Sequence, residues 1–397
     1  MNGDSVPDPV ILSACRTAIG TAYRGSLTET SAFDLADAVV SEALLRSGLS
    51  ADDIDDVVLG EGLYGGGVIA RYAAITAGMI GVPGVAVNRH CAAGLTAVQM
   101  AAAEIAAGMA DAVIAGGTNS QSTSPVSRYR VTGSEEWIDG WISPSHPETP
   151  DAPALDMSVT VGWNTAREAG LTRAELDAWA LRSHQRAVAA IDDGRFVDEI
   201  VPMDITRRDG EKVRWEVDEH PRRSSTAEKL ASLAPLHPEV PDFSITAGNS
   251  AGLNDAAAAL CVASAGLATE RGVEPLASVR SWASVGVEPA RTGMAPIDAI
   301  PKALARVGLS VGDVHIFEIN EAFASVPLAA CRAFGLDEEI VNVSGSGCSL
   351  GHPVAATGAR MLATLVYELR RRGGGIGVAS MCAGGGMGSA TVIEVGG

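Results

Sequence analysis

The strongest constraint on this chain is that it repeats itself. Ala43–Ile54 (ALLRSGLSADDI) lines up with Ala303–Val314 (ALARVGLSVGDV), sharing Ala, Leu, Arg, Gly, Leu, Ser and Asp in register, and seven residues further on Glu61 lines up with Glu321. Each copy continues through a Val-Asn pair (Val87-Asn88 and Val341-Asn342), a glycine-interrupted turn, an Ala-rich helix and a strand that leads into glycines. Two related halves tend to pack about a pseudo-dyad, with a site where they meet. Chance similarity of two amphipathic helices is the alternative, and it leaves the shared order of elements unexplained.

Strand and helix signals alternate, as in an α/β protein. Val10–Ser13, Val57–Leu59, Val85–Val87, Ala112–Ala115, Val314–Ile319 and Ile376–Met381 read as short buried strands, Phe33–Ser47 and Gly94–Ala107 as helices. Between the halves, Asn119–Pro241 is richer in Pro, Trp and charge. It holds one clear helix, opened by the capping box Thr172-Arg173-Ala174-Glu175 and closed at Gly194. This stretch reads as an insertion lying over a two-fold core. Its tail gathers Arg207, Arg208, Lys212, Arg214, Arg222, Arg223 and Lys229 among interleaved acids. Such a run is either a solvated face or a landing site for phosphates.

The balance of 29 Lys and Arg against 48 Asp and Glu, a net charge of −19, argues against nucleic acid or an anionic membrane as partner. No stretch approaches the roughly 18 uninterrupted apolar residues of a membrane span. The nearest, Ala97–Gly117, is broken by Gln99, Glu104 and Asp111. Met1–Pro9 has no Lys or Arg and no apolar run, unlike a signal peptide. The six cysteines show no C-x-x-C and the histidines no metal-ligand spacing, so neither a disulfide framework nor a metal site is expected. The chain reads as cytoplasmic, with free thiols.

Four positions could carry chemistry. Cys91, in Val87-Asn88-Arg89-His90-Cys91-Ala92-Ala93-Gly94-Leu95, stands between a strand and a helix start, where unpaired N–H groups and the helix dipole lower a thiol pKa; a buried structural cysteine is the alternative. His352, in Ser344–Pro353, follows Val341-Asn342 just as Cys91 follows Val87-Asn88, so two-fold packing brings a base to a thiol. A helix is expected directly after Pro353. Cys382 leads Cys382-Ala383-Gly384-Gly385-Gly386, whose backbone N–H groups are exposed for an oxyanion hole, or which forms a simple hairpin turn. Asn320, in Asn320-Glu321-Ala322-Phe323-Ala324, follows a strand and reads as a helix cap or a site residue.

Together these motifs resemble the thiolase family over essentially the whole chain. The match includes Val87–Leu95, Asn320–Ala324, Gly351-His352-Pro353 with Thr357-Gly358-Ala359-Arg360, and Cys382–Gly386. It extends to Asp218-Glu219-His220-Pro221-Arg222, Thr226–Leu230 and Thr246-Ala247-Gly248-Asn249. The resemblance implies a thiolase-like αβαβα layered fold of two pseudo-symmetric halves with an inserted loop domain. Residues 1–120 plus 251–272 would form the N-terminal half, 121–250 the loop domain that binds coenzyme A (CoA), and 273–397 the C-terminal half. It implies reversible Claisen condensation, or CoA-dependent thiolysis of 3-ketoacyl-CoA, through a Cys91 acyl-enzyme in lipid metabolism. His352 would take the Cys91 proton, Cys382 would move the substrate α-proton, and Asn320 would anchor a water that, with His352, binds the enolate oxygen. The N–H groups of Cys91 and Gly384 would form a second oxyanion hole. CoA would be held by Met157, Arg222, Arg223 and Ser250, as substrate and product, with no permanently bound cofactor, in a homodimer or homotetramer.

The chain departs from the family pattern in places. Ala355 replaces the usual Gly of G-H-P-x-G, narrowing space near His352. Asp156 stands where short-chain biosynthetic members tend to carry His, Cys348 replaces a small or aliphatic residue, and of Q-N-P-A-R only Arg71 remains. A ketoacyl-synthase-like condensing enzyme would lack Cys382. A non-catalytic thiolase-like partner would be expected to have lost catalytic residues.

Overall fold

The computed structural model describes residues 8–62, 64 and 68–396. Met1–Pro7, most of the segment read for a leader, lies outside them. The strands that matter are β1 (Pro9–Thr17), β2 (Asp56–Gly60), β3 (Val85–Val87), β4 (Ala112–Ser120), β5 (Asn254–Ser264), β6 (Ala277–Gly286), β7 (Ile316–Ile319), β8 (Gly375–Ala383) and β9 (Met387–Val395). The helices are α1 (Ala32–Ser47), α2 (Ile69–Thr76), α3 (Ala93–Ala106), α4 (Arg173–Asp192), α5 (Ala295–Ala305), α6 (Ser325–Phe334) and α7 (Thr357–Arg371).

The strands run β7-β8-β9-β6-β1-β5-β4-β2-β3 in one hydrogen-bonded path. Read outward from the centre, β1-β5-β4-β2 mirrors β6-β9-β8-β7, and the halves touch where β1 meets β6 antiparallel at Val10–Ser278 and Ile11–Ala277. The repeat is therefore the pseudo-dyad of the fold. Its local devices repeat too. Gly48 (φ 72°) and Gly308 (φ 69°) sit in the left-handed region, followed by identical capping boxes at Ser50/Asp53 and Ser310/Asp313.

Five layers result. α1 and α2 cover one face of the first half-sheet, and α5 and α6 one face of the second. Between the half-sheets lies a shared core in which Leu95, Val98 and Ile105 of α3 meet Met361, Leu362, Leu365 and Leu369 of α7. These two helices start at the loops carrying Cys91 and His352, so the layer that closes the core also brings the loops together. No described helix is long and apolar enough to cross a membrane.

Four local expectations change. β1 extends past Ser13 to Thr17, because Arg16 is held inside the sheet by Glu199 (2.6 Å) and Asp218 (2.7 Å). β4 runs on through its glycines to Ser120. Asn320 caps no helix: α6 begins at Ser325 with Ala324 at its cap, which leaves the Asn320 side chain for other contacts. After Pro353 a turn intervenes before α7, and a short helix at Gly347–Leu350 precedes His352.

Candidate active site

The site is built where backbone is allowed to approach backbone. The carbonyl of Ala355, three residues past His352, sits among glycines of the other half. A Cβ on Gly117 would lie 2.0 Å from that oxygen, on Gly94 2.4 Å and on Gly60 3.0 Å. Any larger residue at Gly117 or Gly94 would push the His352 loop away from the start of α3. The Ala355 methyl turns instead towards Gly62, 3.8 Å from where a Cβ there would stand. The narrowing expected from Ala355 thus falls at Gly62.

Cys91 follows a tight turn in which His90 adopts φ 45° and donates its N–H to Asn88 Oδ1 (2.8 Å). Arg89 anchors the turn across the halves by donating to Ser284 Oγ on β6 (2.6 Å) and to Thr96 Oγ1 (3.1 Å). Cys91 is half-buried, and burial raises its thiol pKa; the N–H groups of Gly384 and of Cys91 itself pull the other way and are outweighed. The expected standing thiolate is therefore not what the fold provides. The helix terminus contributes donors, but the apolar walls win, so the resting group is the thiol.

Cys382 lies near the end of β8, opposite Gly388, and is 2% exposed. Burial drives its thiol pKa far up, and the neighbouring Cys91 adds in the same direction. The turn that follows bends at Gly385 (φ 85°) and Gly386 (φ 74°), and its Gly386 N–H donates to Thr292 Oγ1 (3.0 Å). Ser145 of the inserted stretch lies over it, 3.5 Å from where a Gly384 Cβ would stand.

His352 is buried, and desolvation first, then the Arg360 charge, lower its pKa to about 3. It is a neutral imidazole throughout the physiological range. Its backbone N–H donates to Asn254 Oδ1 (3.0 Å), its Nδ1 lies 2.6 Å from Thr357 Oγ1, and its Nε2 lies 3.5 Å from Asn320 Nδ2. Asn320 in turn is tied to the Cys382 strand by donating its backbone N–H to Ser380 (3.0 Å). Its side-chain Oδ1 is buried beside Gly347, without a partner among the described residues. Beneath, Arg360 pairs with Glu318 (3.1 Å) and donates to Ser346 Oγ (3.1 Å), bracing the loop that leads to His352.

Cys91, Cys382 and Gly384 thus form one neighbourhood, and His352 and Asn320 another, joined through β8 and the Ala355 contact. Ser250 belongs to the rim of the second. Its Oγ donates to Thr246 O (2.6 Å), and its stretch runs beside Ala322–Ala324 before reaching His352 at Leu253. Met157 is half-buried beside an irregular turn, Ser158–Trp163, whose Gly162 carbonyl accepts from Ser325 Oγ (2.9 Å). Arg222 and Arg223 are surface residues of the insertion. The Arg223 side chain is engaged by Asp192 (2.6 Å), and the Arg222 N–H donates to His184 Nδ1 (3.2 Å). Part of the basic tail is paired with acids: Arg207 with Glu211 (2.7 Å) and Arg214 with Asp204 (3.4 Å).

Sequence reasoning gave no role to Asn254, Thr357 or Glu321. Asn254 lies about 100 residues from the histidine it holds, and nothing local marks it. Glu321 had a signal, its match to Glu61 in the repeat.

Family models for the thiolase N-terminal domain and the thiolase C-terminal domain match residues 9–266 and 273–395. The acetyl-CoA acetyltransferase of Pseudomonas aeruginosa is 40% identical, covering 97% of this chain and 99% of the relative. That of Escherichia coli K12 is also 40% identical, covering 97% and 98%. Among solved structures, the Bacillus anthracis acetyl-CoA acetyltransferase superposes with a TM-score of 0.91 at 39% identity, covering 99% of this chain and all of that one. Human mitochondrial 3-ketoacyl-CoA thiolase superposes at 0.89 and 34% identity, covering 98% and 99%.

Proposed function

The chain belongs to the thiolase family, and from that premise we propose which of its groups carry each step. It is an acyltransferase that joins or cleaves acyl units carried by CoA. In our reading Cys91 Sγ attacks the acyl-CoA thioester carbonyl while its proton passes to His352 Nε2. The C–S bond to CoA breaks, CoA leaves with that proton, and an acyl-Cys91 thioester remains. Cys382 Sγ then passes its own proton to His352 Nε2, and the resulting thiolate takes an α-proton from a second acetyl-CoA, whose enolate oxygen is held near Asn320 by the His352 Nε2–H. The new carbon–carbon bond forms as Cys91 leaves and takes the Nε2 proton back. Thiolysis is the same path reversed. The N–H groups at Cys91 and Gly384 serve the oxyanion on the acyl carbon.

The observation that supports it is the seat of Cys91, whose sulfur meets the Gly384 N–H and lies close enough to Cys382 to raise that thiol's pKa. Two thiols need distinct environments to serve as nucleophile and base. The half-buried one opens to an acyl group, and the deeply buried one has so high a pKa that, once deprotonated, it is a strong base. Met157 and Ser250 border the path of the pantetheine arm, and Arg222 and Arg223 the phosphates, for which Arg223 exchanges Asp192. We read residues 1–120 with 251–272, 121–250 and 273–397 as half, loop domain and half, in a cytoplasmic homo-oligomer. Exposed Tyr72, Ile75, Ile80 and the edge strand β3 support that last assignment.

The deciding assay is CoA-dependent cleavage of a 3-ketoacyl-CoA series, from acetoacetyl-CoA upwards. Cleavage by the wild type and none by Cys91→Ala supports the reading. Cleavage by Cys91→Ala at the wild-type rate overturns it.

A further inference from the structure

We propose that Thr357 is the positioning residue that fixes which nitrogen of His352 carries the proton, so that Nε2 presents its lone pair to the thiol. The inference rests on the reading of His352 as proton acceptor and deepens it.

Thr357 is fully buried, in the first turn of α7, five residues after His352. Its Oγ1 has two close neighbours: the Pro353 carbonyl at 2.9 Å and His352 Nδ1 at 2.6 Å. A hydroxyl has one proton to give. A carbonyl only accepts, so a hydroxyl that donates to Pro353 must accept from Nδ1–H. The other side of the ring agrees. Asn320 Nδ2, a donor, stands 3.5 Å from Nε2, a placement that suits a bare Nε2. The two contacts lie on opposite edges of the imidazole and fit the same tautomer, with the Thr357 contact carrying the assignment. With His352 held neutral by its surroundings, this tautomer is the resting state of the base.

The consequence is directional. When Cys91 gives up its proton, Nε2 receives it, and the positive ring keeps its Nδ1–H bond to Thr357, so no rearrangement accompanies the transfer. With the opposite tautomer, Nε2 would already be protonated and could accept nothing. A hydroxyl suits this position better than a carboxylate. It orients the ring without adding a negative charge that would raise the imidazole pKa and protonate it before substrate arrives.

Thr357→Val tests this. Valine keeps the branched shape and loses only the hydroxyl, while the Pro353 carbonyl retains the N–H groups of Ala356 and Thr357, both at 2.9 Å. Two readouts apply, on enzyme labelled with 15N-histidine and with the His352 signal identified by its loss in His352→Gln. Nitrogen-detected NMR should show Nδ1–H in the wild type and Nε2–H or a mixture in Thr357→Val. Pre-steady-state acylation of Cys91 should slow about 10- to 100-fold with acyl-CoA binding unchanged, and Thr357→Ser should restore the wild-type tautomer and rate. The proposal is overturned by Nε2–H in the wild type, by an unchanged tautomer in Thr357→Val, or by Thr357→Ser being as slow as valine. If valine does not fold, the wild-type spectrum and the serine variant still decide it. Normal acylation in His352→Gln would instead overturn the role of His352 itself, a separate result.

Discussion

Asn88 and Asn342 stand at equivalent places in the two halves, and the loops they open are held very differently. Asn88 accepts one hydrogen bond, from His90 N–H, and is exposed; three residues on, Cys91 is half-buried and α3 begins almost at once. Asn342, in the left-handed region (φ 52°), is buried. It accepts from Ile319 N–H (2.8 Å) and donates to Ile319 O (2.8 Å) and to Glu321 (2.9 Å). Its loop then takes an extra helical turn before reaching His352. β2 and β3 pair along three residues, whereas β7 keeps a single bridge to the matching segment, Phe317–Val341. One ancestral position has become a shallow seat that an acyl group can reach; the other has become a rigid mount for a neutral base. A repeat thus supplies the placement of two groups, while their chemistry comes from how deeply each loop is packed.

The comparison would break most completely if the deeply buried groups of the second half proved dispensable. Cys382→Ala should slow condensation and thiolysis about 10³-fold or more, the scale of a lost general base. It should leave stoichiometric acylation of Cys91 by acetyl-CoA measurable by mass spectrometry. Loss of acylation together with turnover would show that the two thiols do not divide the labour. His352→Asn sharpens the comparison through pH. While His352 takes the thiol proton during alkylation of Cys91 by iodoacetamide, the reacting pair is a neutral thiol and a neutral imidazole over this whole range, and the proton passes on to solvent only afterwards. Because the His352 pKa is held near 3, the wild-type alkylation rate should stay nearly level from pH 5 to 8. In His352→Asn the rate should climb about tenfold per pH unit, leaving it about 100-fold or more below wild type at pH 6, because the thiol pKa is raised by burial. Parallel profiles would mean that His352 does not accept that proton.

Much of this was legible in the chain. The repeat located the dyad, and the shared Gly, Ser and Asp marked the same helix stop and capping box in both halves. Strand extents were less legible where polar residues are buried. Arg16 looks like a strand end until Asp218, about 200 residues away, is seen to neutralise it. The glycines of β4 looked like a terminus because their reason, the carbonyl of Ala355, comes from the other half. A helix start is visible in sequence and the walls around a sulfur are not, so the sequence alone points to a lowered Cys91 pKa where burial raises it. For Asn320 the sequence leaves a helix cap and a site residue equally open, because the two have the same local pattern.

Gly117 measures how closely the halves must approach. In Gly117→Ala the new methyl would fall 2.0 Å from the Ala355 carbonyl, backbone against backbone, with Ala258 and Ala259 packed behind neighbouring Gly116. The overpacking should cost about 3 kcal/mol, read as a lowered denaturant midpoint with unchanged slope. The equivalent glycine-to-alanine change at Gly108, where a Cβ meets nothing within 4 Å, acts only through its positive φ and should cost about 1 kcal/mol. Equal losses would remove close approach as the reason for glycine at the dyad.

The smallest effect tests the repeat most directly, through its matched glutamates. Glu321 receives four hydrogen bonds, from Trp179 Nε1 (2.9 Å) and Asn342 Nδ2 (2.9 Å) on one oxygen and from Ser183 Oγ (2.6 Å) and the Cys348 N–H (3.1 Å) on the other. It ties α4 of the insertion to the loop that carries His352. Glu61 receives the Ala70 N–H (3.1 Å), at the start of α2, on one oxygen. A glutamine in place of Glu321 must turn an NH2 group against two donors. Two buried groups then lose their partner, at about 2 kcal/mol together. Glu61→Gln can keep its oxygen towards Ala70 and should cost within about 1 kcal/mol. The same pair separates function from stability. Glu321→Gln should also slow acylation, since Cys348 and Asn342 set the course of the chain into His352, whereas Glu61→Gln should leave the acylation rate within about twofold. If both variants lose stability and rate equally, the second loop is no more rigidly mounted than the first, and the asymmetry between seat and mount fails.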